Sequence, residues 1–174
     1  MLNNQTLYYG EITIDEWRIC LAVTEKGLCF VGNMAELRKW VRRKFPQGQL
    51  VKSIQKISAY EEQFKEYFSG QRTTFTFPLD VIGTSFQQKV WRKLREIPHG
   101  ETVSYQDIAE KIGNPRSVRA VGAAVGANPL LIVIPCHRVV RKNGELGGFR
   151  AGLALKKKLL LLERASVMKR YTVH

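Results

Sequence analysis

Cys136 and His137 stand side by side in "IPCHRVV", which closes the apolar run "LLIVI" at residues 130–134. A thiol beside an imidazole is the minimum for nucleophilic chemistry. A free cysteine ionises near pH ~8.5, so a base must draw off its proton before it attacks a hard electrophile. Adjacent side chains in a strand point to opposite sides, so the pair can meet only where the backbone turns sharply, and Pro135 makes such a turn available. A histidine base also needs a third group to orient it. Glu163 in "LKKKLLLLERA" fits, because Leu159 and Leu160 at i−4 and i−3 put it on an apolar helix face. The alternative is a buried structural thiol after an apolar strand, with Glu163 solvated near a helix C-terminus.

The elements that must position these residues lie just upstream. In "SFQQKVWRKLREI", Ser85 and Gln88 are spaced as a capping box. Phe86, Val90, Leu94 and Ile97 share one helical face, and Lys89, Arg92, Lys93 and Arg95 share the other. "SYQDIAEKIG" follows, with Ser104 as N-cap, Ile108 and Ile112 inward and Gly113 as the stop. After a short turn, Asn114 and Pro115 are placed to cap and open a helix over 115–127. Two short helices joined by a glycine-containing turn suggest a helix-turn-helix, although such pairs also serve as packing units.

The second helix turns Val118, Val121 and Val125 toward the core and shows Arg116, Arg119, Ala120, Ala123 and Ala127 on the other side. That face has almost nothing with which to read base edges. Small residues let a backbone come close to a sugar-phosphate wall, and one arginine suits insertion into a groove or a gap in the stack. Sequence-independent binding is the expectation, with tight packing on another helix as the alternative.

Composition agrees with a polyanionic partner. Lysine and arginine number 28 against 15 acids, for a net charge of +13 in 174 residues. Three cysteines, Cys20, Cys29 and Cys136, are odd in number and lack any CxxC, so neither a disulfide framework nor a zinc site is expected, and a reducing compartment fits. "MLNNQTLYYG" has no basic and apolar leader pattern and no apolar run is long enough for a membrane span, so a soluble intracellular protein without membrane partners is expected. "QTLYYGEITI", "WRICLAV" and "GLCFVGN" read as strands, with helices at about 35–45 and 58–69, the latter opening on Ser58 and Glu61 as a capping box. The character changes at "TFTFPLDVIGTS". The expected organisation is an N-terminal α/β domain at 1–80, a C-terminal domain at 81–165 and a mobile tail at 166–174.

"IPCHRVV", preceded by "GANP" and followed by "GELGGFRAG", resembles the active-site signature of the O6-alkylguanine-DNA alkyltransferases, the methylated-DNA–protein-cysteine methyltransferases. The likeness runs from about residue 84 to 164 and includes "IPHGETVSYQDIAEKIGNPRSVRAVGAAVGANP", similar to the family's helix-turn-helix; the first 80 residues match loosely. The resemblance implies an α+β fold: a small ribonuclease-H-like sheet-and-helix domain, then a mostly helical domain with the helix-turn-helix. It implies that Cys136 takes the alkyl group from O6 of guanine, and also from O4-alkylthymine, as an irreversible thioether in a single turnover. His137 is implied as base through a water, Glu163 as its orienter, and Asn128 as the tie of the turn carrying the cysteine. Tyr105 is implied to press on a phosphate and help protonate the departing purine. The backbone of Cys136 and Val139 would receive the exocyclic amine, the Arg150 amide would meet O6, and Phe149 would close the wall. Arg119 is implied as the finger entering the stack, with Arg116, Ala120 and Ala123 beside it on the DNA. Arg138 matches the motif in a structural role.

The expected partner is therefore double-stranded DNA containing O6-alkylguanine, bound from the minor groove by a monomer that is cytoplasmic and nucleoid-associated, or nuclear in a eukaryote. The zinc sites and the four-cysteine regulatory domain of some members have no counterpart here, so no metal, no cofactor and no methylation-triggered transcription are expected. The nearest rival is a non-catalytic lesion-binding protein of the alkyltransferase-like type, against which the presence of Cys136 argues. A cysteine hydrolase is the rival from another class.

Overall fold

Aromatic and β-branched residues between short turns make the first fifty residues strand-forming. In a computed structural model, which describes residues 5–172, β1 (Thr6–Ile14) and β2 (Trp17–Thr24) form an antiparallel hairpin, and β3 (Gly27–Gly32) pairs antiparallel with β2. A fourth strand absent from the sequence expectations, β4 (Gln49–Lys52), runs parallel to β1 and completes the order β3-β2-β1-β4. Four residues with one half-buried leucine carry too little periodicity to announce a strand.

Two helices accompany this sheet. α1 (Met34–Lys44) is capped by Asn33, whose Oδ1 accepts from the Glu36 amide at 2.9 Å. α2 (Ile54–Phe68) starts at the Ser53 cap, so the Ser58–Glu61 box is not its beginning; the Ser58 hydroxyl, already inside the helix, donates to the Gln55 carbonyl. Packing explains the earlier start: Ile57 is buried and sits so close to Gly10 of β1 that a Cβ there would meet its Cγ1 at 3.1 Å. Cys20 and Cys29 lie in the core with Leu7, Phe30, Leu37 and Trp40, and burial pushes the Cys20 thiol up to about 12. Both are inert thiols at neutral pH.

The chain divides after Ile82 into two compact units. The second begins with α3 (Ser85–Arg95), capped by Thr84 and Gln87 in a reciprocal box, one residue before the Ser85–Gln88 pair that has the same spacing. Val90, Leu94 and Ile97 are buried as expected, while Phe86 is exposed and Trp91 takes a core place, donating its indole N–H to the Ala124 carbonyl at 2.8 Å. β5 (Val103–Ser104) leads into α4 (Tyr105–Lys111), whose Ser104 cap forms a box with Asp107. Gly113 ends it at φ +77, and the amides of Gly113 and Asn114 return to the Glu110 and Ala109 carbonyls as a Schellman motif.

That ending uses up Asn114, so the cap expected there does not form. The Ser117 amide and hydroxyl both donate to the Asn114 carbonyl, and α5 (Val118–Gly126) starts after that turn rather than at Pro115. Val121 and Val125 are buried and Val118 half-buried. α6 (Leu153–Tyr171) closes the unit; it carries the segment expected as a mobile tail on as helix to Tyr171, and Val173 and His174 lie outside the described residues. Among the described residues no helix is long and apolar enough to cross a membrane.

Candidate active site

The run 130–134 is not a strand. Asn128 captures it: the Leu130 amide donates to Asn128 Oδ1 at 2.9 Å, and Asn128 Nδ2 donates to the Ile134 carbonyl at 2.8 Å. Between these ties the Val133 amide returns to the Leu131 carbonyl at 2.8 Å, which forces Ile132 to φ +73. A β-branched residue in that region is strained, and its burial at 2% shows packing holding it there. Pro135 (φ −79, ψ 62) turns the chain again, with the Cys136 amide on the Ile134 carbonyl at 2.7 Å. Cys136, His137 and Arg138 then share a 3-10 turn, the sharp bend that lets sequence neighbours serve one site.

Asn128 Nδ2 also donates to Cys136 Sγ, at 3.2 Å. The thiol forms part of the wall of a cavity of about 470 Å³, together with Tyr105, Val125, Leu131, Gly148, Phe149 and Arg150. Burial pushes the Cys136 thiol up; the Asn128 hydrogen bond and the nearby charges of Arg150 and Lys156 pull against it. The resting group is a thiol, poised for a base.

Behind the wall, His137 Nε2 meets Glu163 Oε1 at 2.6 Å, both side chains fully buried. Burial holds the imidazole below its ordinary value in spite of Glu163, so it is neutral and able to accept a proton. Arg138 grips the same carboxylate, Nε to Oε2 at 2.9 Å and Nη2 to Oε1 at 3.0 Å. Burial alone would raise Glu163, but His137 and Arg138 together hold it well below the usual carboxylate range. Glu163 is thus the permanent anion of the cluster, and Arg138, matched from the motif as structural, is its clamp.

Tyr105 occupies the first position of α4 and lines the cavity. The parallel pairing of β5 with β6 (Val139–Val140), Val103 opposite Val139, brings it beside the cysteine turn. Burial and the nearby Cys136 raise its phenol above the ordinary value, so it is a proton donor at neutral pH. Phe149 stands edge-on to His137, ring centroids 6.5 Å apart, and Arg150 Nη2 donates to the Asn128 carbonyl at 2.9 Å. Val139 is fully buried outside the cavity lining; its amide donates to the Cys136 carbonyl and its own carbonyl accepts from Lys156 Nζ at 2.7 Å. On α5, Arg119, Ala120 and Ala123 are exposed, and Arg116 is exposed in the preceding turn.

Sequence reasoning passed over Lys156. It is fully buried and donates to the carbonyls of Val139, Leu146 and Gly148, pinning the loop that carries the Gly148–Arg150 wall to α6. Burial lowers its ammonium to about 8. Its signal was present: positions 156, 159, 160 and 163 recur at i, i+3, i+4 and i+7, the same inward stripe that singled out Glu163.

A cysteine-centred site beside a helix-turn-helix, in a chain with a separate small sheet domain, defines a class, and the comparisons agree with it. Residues 7–81 match the model of the 6-O-methylguanine DNA methyltransferase, ribonuclease-like domain, and residues 85–165 that of the 6-O-methylguanine DNA methyltransferase, DNA binding domain. The chain belongs to this family. It is 47% identical over 166 residues to the inducible methylated-DNA–protein-cysteine methyltransferase of Bacillus subtilis, covering 93% of each chain. It is 42% identical over 157 residues to the methylated-DNA–protein-cysteine methyltransferase of Methanosarcina mazei, covering 90% of this chain and 97% of that one. The crystal structure of Mycobacterium tuberculosis OGT in complex with DNA superposes with a TM-score of 0.80 at 36% identity, over 91% of this chain and 94% of the other.

Proposed function

We propose that this protein repairs DNA by moving the alkyl group of O6-alkylguanine onto Cys136 and keeping it. The observation that carries the reading is a buried thiol in the wall of a cavity large enough to admit a base, held by Asn128 and backed by the His137–Glu163–Arg138 cluster. A target base inside a duplex cannot reach such a thiol, so it is flipped out at a cost of a few kcal/mol. The small outer face of α5 lies along the minor groove, and Arg119 fills the space the base leaves. Arg116, Ala120 and Ala123 line the same contact, and one monomer per lesion suffices.

Chemistry then follows from the charges. Neutral His137 accepts the Cys136 proton through a water, and anionic Glu163 balances the imidazolium that forms. Sγ attacks the O6-linked carbon in line; the carbon–sulfur bond forms as the carbon–oxygen bond breaks, and the electron pair leaves with the purine. Tyr105 donates to the departing ring, the Arg150 amide meets O6, Phe149 walls the base, and the Cys136 backbone faces the exocyclic amine. O4-alkylthymine presents the same bond and is the second substrate. A thioether is not cleaved by ordinary biological nucleophiles, so each molecule acts once.

A duplex carrying radiolabelled O6-methylguanine tests this. Label passes to the wild-type protein and not to Cys136→Ala; transfer that survives the substitution, or repeated turnover on an ester, contradicts the proposal.

A further inference from the structure

The turn between α3 and β5 is docked on the carboxylate of the active-site cluster. Arg138 Nη1 donates to the Ile97 carbonyl at 2.6 Å, and the Gly100 amide donates to Glu163 Oε2 at 3.0 Å. Gly100 has φ +86, and a Cβ there would meet Val167 Cγ2 of α6 at 2.6 Å, so the backbone lies hard against the helix. Residue 99 is fixed between these two anchors. His99 Nδ1 lies 4.0 Å from Glu163 Oε1, the same oxygen that His137 Nε2 engages at 2.6 Å, and its side chain is only 11% exposed. One imidazole engages this oxygen and a second stands 4.0 Å from it.

We propose that His99 is a positioning residue for alkyl transfer, whose protonation withdraws Glu163 from His137 and shuts the reaction down in acid. Glu163 holds the permanent cation Arg138 and must also balance the imidazolium formed when His137 takes the thiol proton. A second imidazolium 4.0 Å away competes for that single charge, in a site where burial leaves the field poorly screened. From α6 His99 meets Glu163, whose carboxylate also holds His137 and Arg138 of the 3-10 turn; on its own segment Glu96 is exposed and paired with Lys93, and Glu101 is exposed. Neutral His99 leaves the carboxylate to His137; charged His99 lowers the basicity of His137 and so the rate.

The inference rests on the alkyl-transfer reading, and the experiment separates the two. Single-turnover methyl transfer from an O6-methylguanine duplex, and alkylation of Cys136 by iodoacetamide, are each followed from about pH 5 to 8.5 in wild type, His99→Gln and His99→Phe, normalised to each protein's own rate at the alkaline end. Both variants retain more of their rate in acid, the midpoint of the acidic limb moving down by roughly one unit, a tenfold effect at the foot of the curve. Superimposable normalised profiles overturn the role of His99, because a merely structural residue changes the rate at every pH alike. Absence of methyl transfer in wild type overturns the functional reading instead, and the iodoacetamide profiles still decide the role of His99.

Discussion

Burial and reactivity oppose each other in a thiol, since a dry pocket favours the protonated form. Here the opposition is resolved one residue away: the same burial that keeps Cys136 protonated keeps His137 neutral, and the charge the proton transfer creates is met by Glu163. Glu163→Gln keeps the shape, removes the anion and leaves Arg138 buried without its counter-charge. It should slow methyl transfer by roughly a hundredfold or more and destabilise the fold by about 3–5 kcal/mol, read by single-turnover kinetics and denaturant melts. The pH dependence has a definite sign. The folded carboxyl ionises below the value near 4.3 of a free glutamate, so its stabilisation is complete above that pH and disappears as pH falls below it. Wild-type melting temperature should therefore fall more steeply in acid than that of Glu163→Gln; parallel curves would contradict the assignment. Glu163 was legible because its inward stripe is apolar; Lys156 shares that stripe but lies in a run of three lysines that reads as a solvated face.

At the scale of elements, caps and turns decide where side chains arrive. Ser85–Gln88 and Thr84–Gln87 offer the same box one residue apart; the second forms, in a helix whose Trp91 indole donates to the Ala124 carbonyl of α5. The apolar run 130–134 looked like a strand because its residue types favour one; the amide of Asn128, eight residues before the cysteine, bends it into tight turns, and no local pattern reports a tie that exists only once the chain is folded. Asn128→Ala should cost about 1–3 kcal/mol through unsatisfied backbone groups and slow alkylation of Cys136 by iodoacetamide, with both measured on the same sample. The outer face of α5 was legible from helical periodicity: Arg119, Ala120 and Ala123 are exposed, while Ala127, expected beside them, is half-buried and Arg116 precedes the helix. Arg119→Ala should slow repair in duplex far more than reaction with free O6-benzylguanine; equal losses on both substrates would remove its place in the base stack.

For the molecule as a whole, charge and stoichiometry are the observables. A net charge of +13 makes binding to undamaged duplex steeply dependent on salt, because each neutralised phosphate releases counterions; a flat salt profile would count against the basic surface as the binding face. The division into a sheet unit and a helical unit was visible in the change of residue character around 74–85, whereas β4 and the helical continuation beyond 166 were not, since one is short and the other reads as polar. The central claim is that one thiol is spent once. Intact-mass spectrometry of the protein titrated with an O6-methylguanine duplex tests it: the account predicts a gain of one methylene per molecule, saturating at equimolar lesion and mapping to the Cys136 peptide. An unchanged mass, a modification elsewhere, or lesion repaired in excess over protein would contradict it.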